Sequence, residues 1–105
     1  MKKSNILASI ASEIKEEIFE EILSKDGVKI ERIISDGHIT PEGKWYEQET
    51  DEWVMLVQGE AILEFENYEK VKLFAGEYIN IPAFKKHRVA WSKPDFKTIW
   101  LAVHY

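Results

Sequence analysis

The carboxylate of Glu52 opens an apolar run that continues to Val57. In an extended strand alternate side chains share a face, so Glu52 faces the interior if Val54 and Leu56 do. A buried carboxylate requires a cation or hydrogen-bond donors, and it can also act as a base. Glu52 is therefore the candidate catalytic residue of a polar site inside the fold. The alternative is a surface carboxylate in an acidic turn.

A second candidate, His87, opens the alternating run that ends at Trp91. By the same alternation His87 shares a face with Val89 and Trp91. An imidazole beside a flat apolar surface is typical of a small-molecule pocket, so Trp91 is a candidate substrate-binding residue. The alternative is a core histidine with a satisfied hydrogen bond. A small basic lip lies beside it, formed by Lys85, Lys86 and Arg88. This lip either steers an anionic ligand or is a solvated turn.

A further imidazole, His104, lies next to the C-terminus. If the chain returns antiparallel from Thr98, His104 ends level with the mouth of the same site. Both faces of the segment 99–105 are apolar, so strand parity does not decide its orientation. His104 is therefore a candidate ligand contact whose placement the sequence leaves open.

The N-terminal segment 1–27 contains a helical pattern that begins at Ser12, after the ambiguous residues 1–11. From Ile14 to Leu23 apolar residues recur at i, i+4, i+5, i+8 and i+9, the spacing of one helix face. Ser12 is a suitable N-cap and Gly27 a suitable stop. The pattern predicts one amphipathic helix that packs on the outside of the residues that follow.

From Val28 onward the apolar period changes to two, and turn residues separate short runs. The predicted strands are Val28–Ile34, Lys44–Gln48, Glu52–Val57, Ala61–Phe65, Val71–Phe74, Tyr78–Ile81, His87–Trp91 and Thr98–Tyr105. Short strands with such regular turns predict an all-β sandwich or barrel over residues 28–105.

Composition excludes several classes of function. The 105 residues are the length of one domain. Fourteen basic and nineteen acidic residues give a net charge of −5, which disfavours nucleic acid as a partner. There is no cysteine, hence no thiolate metal site or thiol nucleophile. No apolar run is long enough to span a membrane. We expect a cytoplasmic protein.

The spacing of these residues resembles the cupin family. That family's first motif reads Gly-x5-His-x-His, three or four residues, Glu, six residues, Gly. Here Glu52 and Gly59 stand at that separation, and the two histidine positions fall on Tyr46 and Gln48.

The second cupin motif reads Gly-x5-Pro-x-Gly-x2-His-x3-Asn. Gly76, Pro82 and His87 match it, while Phe84 and Trp91 stand where Gly and Asn are expected. The resemblance implies a double-stranded β-helix, or jelly-roll barrel, and a homodimer, the common assembly of small cupins.

The resemblance also implies a divalent metal ion, Fe, Mn, Ni or Zn, held by Gln48, Glu52 and His87. Tyr46 in place of a histidine is expected to hydrogen-bond a substrate. Amide and phenol groups are poorer ligands than two imidazoles for Fe(II) chemistry. The affinity for metal is therefore expected to be lower, or the metal lost.

Two functions follow from these expectations. In the first, a small cupin barrel binds a divalent metal and a small molecule inside the barrel, with the reaction unassigned. In the second, the barrel is a metal-free ligand-binding or sensor module, in which Glu52 and His87 orient a ligand against Trp91 and no bond is made or broken.

Overall fold

Eight antiparallel strands and no helix form the chain in the computed structural model, which describes residues 1–105. The strands are β1 Ile18–Lys25, β2 Val28–Asp36, β3 Glu52–Gln58, β4 Glu60–Phe65, β5 Lys70–Phe74, β6 Tyr78–Ile81, β7 His87–Ser92 and β8 Lys97–His104. A five-stranded sheet has the order β1-β2-β8-β3-β6, and a three-stranded sheet has the order β5-β4-β7. The chain has no helix long and apolar enough to cross a membrane.

The core lies between the two sheets. Along β3 and β4 every second side chain is buried, because a strand presents alternate residues to opposite faces. The buried apolar cluster contains Val54, Leu56, Ala61, Leu63, Phe65, Leu73, Ile81, Val89, Trp100 and Ala102. The all-β architecture predicted for residues 28–105 is confirmed, and its core is built from inward side chains of β3 to β8.

The predicted N-terminal helix is wrong. Residues Ile18–Lys25 form β1, which pairs with β2 from Ile18 opposite Ile34 to Lys25 opposite Val28. The turn between them is Asp26-Gly27 with φ of 48° and 81°, and Asp-Gly with two positive φ angles is a strong hairpin signal. Gly27 therefore closes a hairpin rather than ending a helix. The apolar residues assigned to a helix face instead belong largely to β1, whose C-terminal half is exposed.

The segment predicted as the strand Lys44–Gln48 forms a single bridge instead. Tyr46 N–H donates to the His87 carbonyl at 2.7 Å, and His87 N–H donates to the Tyr46 carbonyl at 3.0 Å. These two bonds attach the loop after β2 to the start of β7. They bring Tyr46 and Gln48 to the same end of the barrel as His87.

A β-bulge in β7 changes the parity on which the placement of Trp91 depended. Val89 pairs with Leu63, but Trp91 pairs with Ile62, so one extra residue, Ala90, lies between them. A bulge of one residue sends the following side chains to the opposite face. Trp91 therefore does not share the inner face with Val89, which corrects the expectation from simple alternation.

The residues before β1 cover the outer face of β2. The buried Arg32 guanidinium donates to the carbonyls of Ile6 at 3.0 Å and Ala8 at 2.7 Å, and to the Glu20 carboxylate at 2.7 Å. These contacts fix the path of the segment that leads into β1. Glu17, the residue directly before β1, accepts a hydrogen bond from Ser35 Oγ at 2.9 Å.

Candidate functional site

A cavity of about 60 Å³ opens between the sheets. On the same measure a single water molecule needs about 10–15 Å³, so the cavity has room for a few waters or part of a small ligand. Its polar lining consists of Glu17, Glu31, Tyr46, Gln48, Glu52 and His87. The remaining lining residues are apolar, among them Val54, Val89 and Trp100. Polar groups on an apolar base are the usual composition of a small-molecule site.

The structure brings four of the predicted site residues together in this cavity: Tyr46, Gln48, Glu52 and His87. Strands β3 and β7 supply the carboxylate and the imidazole as their first residues. The bridge between Tyr46 and His87 supplies the other two. Their roles in binding metal or substrate stay predictions.

The imidazole of His87 is held in one orientation. Its Nδ1 lies 2.9 Å from the Lys85 carbonyl, and because a carbonyl only accepts, Nδ1 carries a proton. A hydrogen bond from one ring nitrogen to a carbonyl commonly orients a histidine whose other ring nitrogen binds a metal. Nε2 therefore faces the cavity, 3.4 Å from Glu52 Oε1.

Glu52 Oε1 is buried and has no hydrogen-bond partner. When His87 is neutral, its Nε2 is also an acceptor, so two lone pairs face each other across 3.4 Å. A buried acceptor without a donor is costly. A proton on His87 Nε2, or a cation bound between the two atoms, would therefore satisfy Glu52 Oε1.

The pKa of His87 reflects both influences. Burial alone lowers the pKa of this imidazole, but the contact with Glu52, the Lys85 carbonyl and the charge of Glu52 together outweigh it, so the pKa is raised above its ordinary value. The environment of His87 thus favours a positive charge at Nε2.

Tyr46 is kept as a neutral phenol. Burial raises the pKa of its hydroxyl, and the negative charge of Glu17 raises it further. A protonated phenol is a hydrogen-bond donor and a poor ligand for a hard cation. Its ring lies 6.0 Å from that of His87, centroid to centroid, so the donor stands beside the Glu52 and His87 pair.

A second carboxylate and imidazole pair, Glu31 and His104, lies next to the first. His104 Nε2 lies 2.7 Å from Glu31 Oε1, and both side chains are nearly buried. In the sheet His104 is opposite Glu52, so both project from the same face. His104 thus faces inward, but it contacts Glu31 and does not itself line the cavity.

Trp91 and the basic lip lie outside the cavity. The Trp91 ring is 5.3 Å from Lys72 Nζ, and Trp91 is not among the cavity-lining residues. Each basic side chain of the lip has a partner: Arg88 Nη1 binds Glu64 at 2.7 Å, Lys86 lies 3.8 Å from Glu66, and Lys85 lies over the Phe65 ring. A role for the lip in steering anions gains no support from this arrangement.

Sequence reasoning missed Glu17 and Glu31. Glu17 lay inside the predicted helix, between its apolar positions Ile14 and Ile18. Glu31 is in β2, where apolar residues occupy both faces and parity gives no direction. The Asp26-Gly27 hairpin signal would have placed Glu17 beside β2 rather than on a helix.

The donor set can be tested for a metal ion. Two ligands about 2.1 Å from one ion lie about 3.0–3.4 Å apart in octahedral or tetrahedral geometry. The 3.4 Å between Glu52 Oε1 and His87 Nε2 fits this range. Gln48 lines the same cavity and offers a third, neutral oxygen. No group of three His, Cys, Asp or Glu residues is placed to hold a metal, so a third protein ligand would have to be this amide.

Comparison with solved structures identifies the fold. A proposed mannose-6-phosphate isomerase from Ralstonia eutropha superposes with a TM-score of 0.94 at 42% sequence identity, over 99% of this chain and 97% of that chain. A cupin superfamily protein from Desulfitobacterium hafniense gives 0.79 at 23% identity, over 99% and 91% of the two chains. An RmlC-like cupin from Methanocaldococcus jannaschii, a double-stranded β-helix, gives 0.71 at 18% identity, over 91% and 85%.

No family model matches the sequence, and no curated protein matches it either. The family is nevertheless established by the structural relatives. The chain belongs to the cupin superfamily.

Proposed function

We propose that this small cupin binds one divalent metal ion together with a small molecule in its cavity. The ion is Fe, Mn, Ni or Zn, and its ligands are Glu52, His87 and Gln48. The observation that carries the proposal is the buried, unpartnered Glu52 Oε1 that faces His87 Nε2 at 3.4 Å. When bound, such an ion supplies Lewis-acid chemistry toward a coordinated oxygen.

The residues of the chain have separate roles in this proposal. His87 is oriented by the Lys85 carbonyl. Glu52 also doubles as a base toward a ligand proton, because its carboxylate lines the cavity. The neutral phenol of Tyr46 donates a hydrogen bond to the ligand. The name of the Ralstonia relative, a proposed sugar-phosphate isomerase, supports catalysis on a sugar-like molecule, but the reaction is left unassigned.

The test is elemental analysis of protein purified without an affinity tag, with and without reloading by each ion. We expect about one ion per chain in the wild type and a large loss in Glu52→Gln and in His87→Asn. His38→Asn is the matched control, because His38 bonds Asp36 N and Lys15 O away from the cavity. Metal content that is equal in all four proteins would refute the proposal.

The second candidate is a metal-free ligand-binding module. The raised pKa of His87 favours it, because an imidazolium would satisfy Glu52 without a metal. So does the neutral amide of Gln48 at the third ligand position, since an amide oxygen binds a cation more weakly than a carboxylate or an imidazole does. The same samples decide between the two: no metal, combined with a ligand-dependent rise in melting temperature that His87→Asn abolishes, supports the binding module.

We further propose a homodimer. The apolar side chains of Phe19, Ile22 and Leu23 on the edge strand β1 are each about half exposed, and an exposed apolar edge favours association. Sedimentation at micromolar concentration should show twice the mass of one chain, and a monomer alone would contradict this. A cytoplasmic location, and the absence of nucleic-acid and membrane partners, stay predictions.

A further inference from the structure

We propose that the small molecule of this cavity is a neutral, hydroxylated compound and that its phosphate esters are rejected. This inference rests on the proposed ligand-binding function. It concerns the net charge of the cavity lining, to which residues other than Glu52 and His87 also contribute. The residues that carry it are Glu17 and Glu31.

The cavity lining contains three carboxylates, Glu17, Glu31 and Glu52, and neither lysine nor arginine. A phosphate ester would face these three carboxylates, and like charges in a partly desolvated site repel. One divalent ion at Glu52 would be offset by three carboxylates. A neutral hydroxyl, in contrast, donates its proton to a carboxylate oxygen.

The usual protein groups that bind a phosphate are absent from the cavity lining. Proteins hold phosphate with arginine, with lysine or with the N-terminus of a helix. The chain has no helix. The lip beside His87 lies outside the cavity lining, and its Arg88 is paired with Glu64 at 2.7 Å.

Glu31 is the specificity-determining residue in this inference, and His104 positions it. Glu31 Oε1 accepts from His104 Nε2 at 2.7 Å, and its other oxygen lies 3.9 Å from Lys29 Nζ. The buried imidazole holds the carboxylate at the cavity wall as a fixed acceptor. A preorganised acceptor of this kind selects a donor on the ligand.

The test compares two pairs of probes that differ by one phosphate: glycerol with glycerol 3-phosphate, and mannose with mannose 6-phosphate. Binding to the full chain is followed by chemical-shift titration. We expect each neutral member to bind at least about tenfold more tightly than its ester, the scale of one charged interaction. Glu31→Gln should reduce this ratio. Glu60→Gln, the same charge change outside the cavity, should leave it unchanged.

His104 is tested by the same ratio. His104→Ala should lower the preference for the neutral probe, and His104→Gln, whose amide N–H can still donate to Glu31, should restore it. A purely structural role would weaken both members of a pair equally, and this would overturn the positioning role.

Esters that bind as tightly as the alcohols, or neutral probes that fail to bind at all, would overturn the inferred ligand class. Metal content measured on the same samples separates the two proposals. If the wild type retains its metal but does not discriminate between esters and alcohols, only the ligand class is contradicted. If Glu52→Gln and His87→Asn hold as much metal as the wild type, the proposed function is contradicted.

Discussion

Replacement of Glu52 by glutamine should raise the free energy of unfolding of the metal-free protein. Once metal is added, the variant should be less stable than the wild type. Glu52 is 7% exposed, and its Oε1 has no hydrogen-bond partner. Above the pH at which His87 titrates, the imidazole Nε2 is an acceptor as well. The wild-type protein therefore holds two facing acceptors and a buried charge in the absence of metal.

The magnitude follows from this contact. A buried polar atom without a partner costs about 1–3 kcal/mol. The amide that Glu52→Gln introduces carries no charge, and its N–H could donate to His87 Nε2. We expect the free energy of unfolding to rise by about 1–2 kcal/mol, which corresponds to about 4 °C or more in melting temperature for a chain of this length.

The assay is urea unfolding at about pH 9, where an imidazole is neutral, with a chelator and then with excess Zn²⁺ or Mn²⁺. A metal present at about 100 times its dissociation constant adds about 2.7 kcal/mol to wild type and little to Glu52→Gln. The order of stability should therefore reverse. A variant that is less stable than wild type in the chelator would refute the reasoning, because it would mean that the carboxylate is already satisfied.

Two further predictions concern backbone strain and titration. Gly27→Ala should lower the free energy of unfolding by about 1–2 kcal/mol, the conformational penalty for a left-handed residue. No steric penalty adds to this, because no atom lies within 4 Å of the added methyl group. Gly59→Ala should cost more than about 3 kcal/mol, because at φ +100° its methyl group would also lie 3.0 Å from Thr98 Cα; equal costs by urea unfolding would contradict this. In chelated protein, Glu52→Gln should lower the pKa of His87 in NMR titration. The stability that this pair contributes is present below about pH 6.5 and is lost as pH rises through the raised pKa of His87; an unchanged pKa would count against the contact.

The candidate site was predictable to the extent that it depends on local periodicity. Glu52 and His87 each begin a strand with alternating burial, so parity alone sends them inward. Motif spacing then adds Tyr46 and Gln48. Glu52 lies only a few residues beyond this pair in the chain, so little tertiary information is needed to bring these three side chains to one end of the fold.

Simple periodicity failed where a turn or a bulge changed it. The spacing of Ile18 and Ile22 suits a helix, but pairing with β2 and the Asp26-Gly27 turn make the segment a strand. The intrinsic preference of a short segment is weaker than the hydrogen bonds of a full strand pair. The bulge before Trp91 likewise reversed a face that alternation had assigned.

By itself the sequence determined an all-β barrel over residues 28–105 and the inward carboxylate and imidazole at its mouth, because strand period and turn residues are local properties. The cupin type of that barrel was what the motif resemblance implied. Only the tertiary structure decided that Glu31 and His104, 73 residues apart, form a buried pair beside this carboxylate and imidazole. That pair exists because β8 lies between β2 and β3, and such a strand order depends on long-range hydrogen bonding and core packing. The acidic character of the cavity follows from the same long-range order.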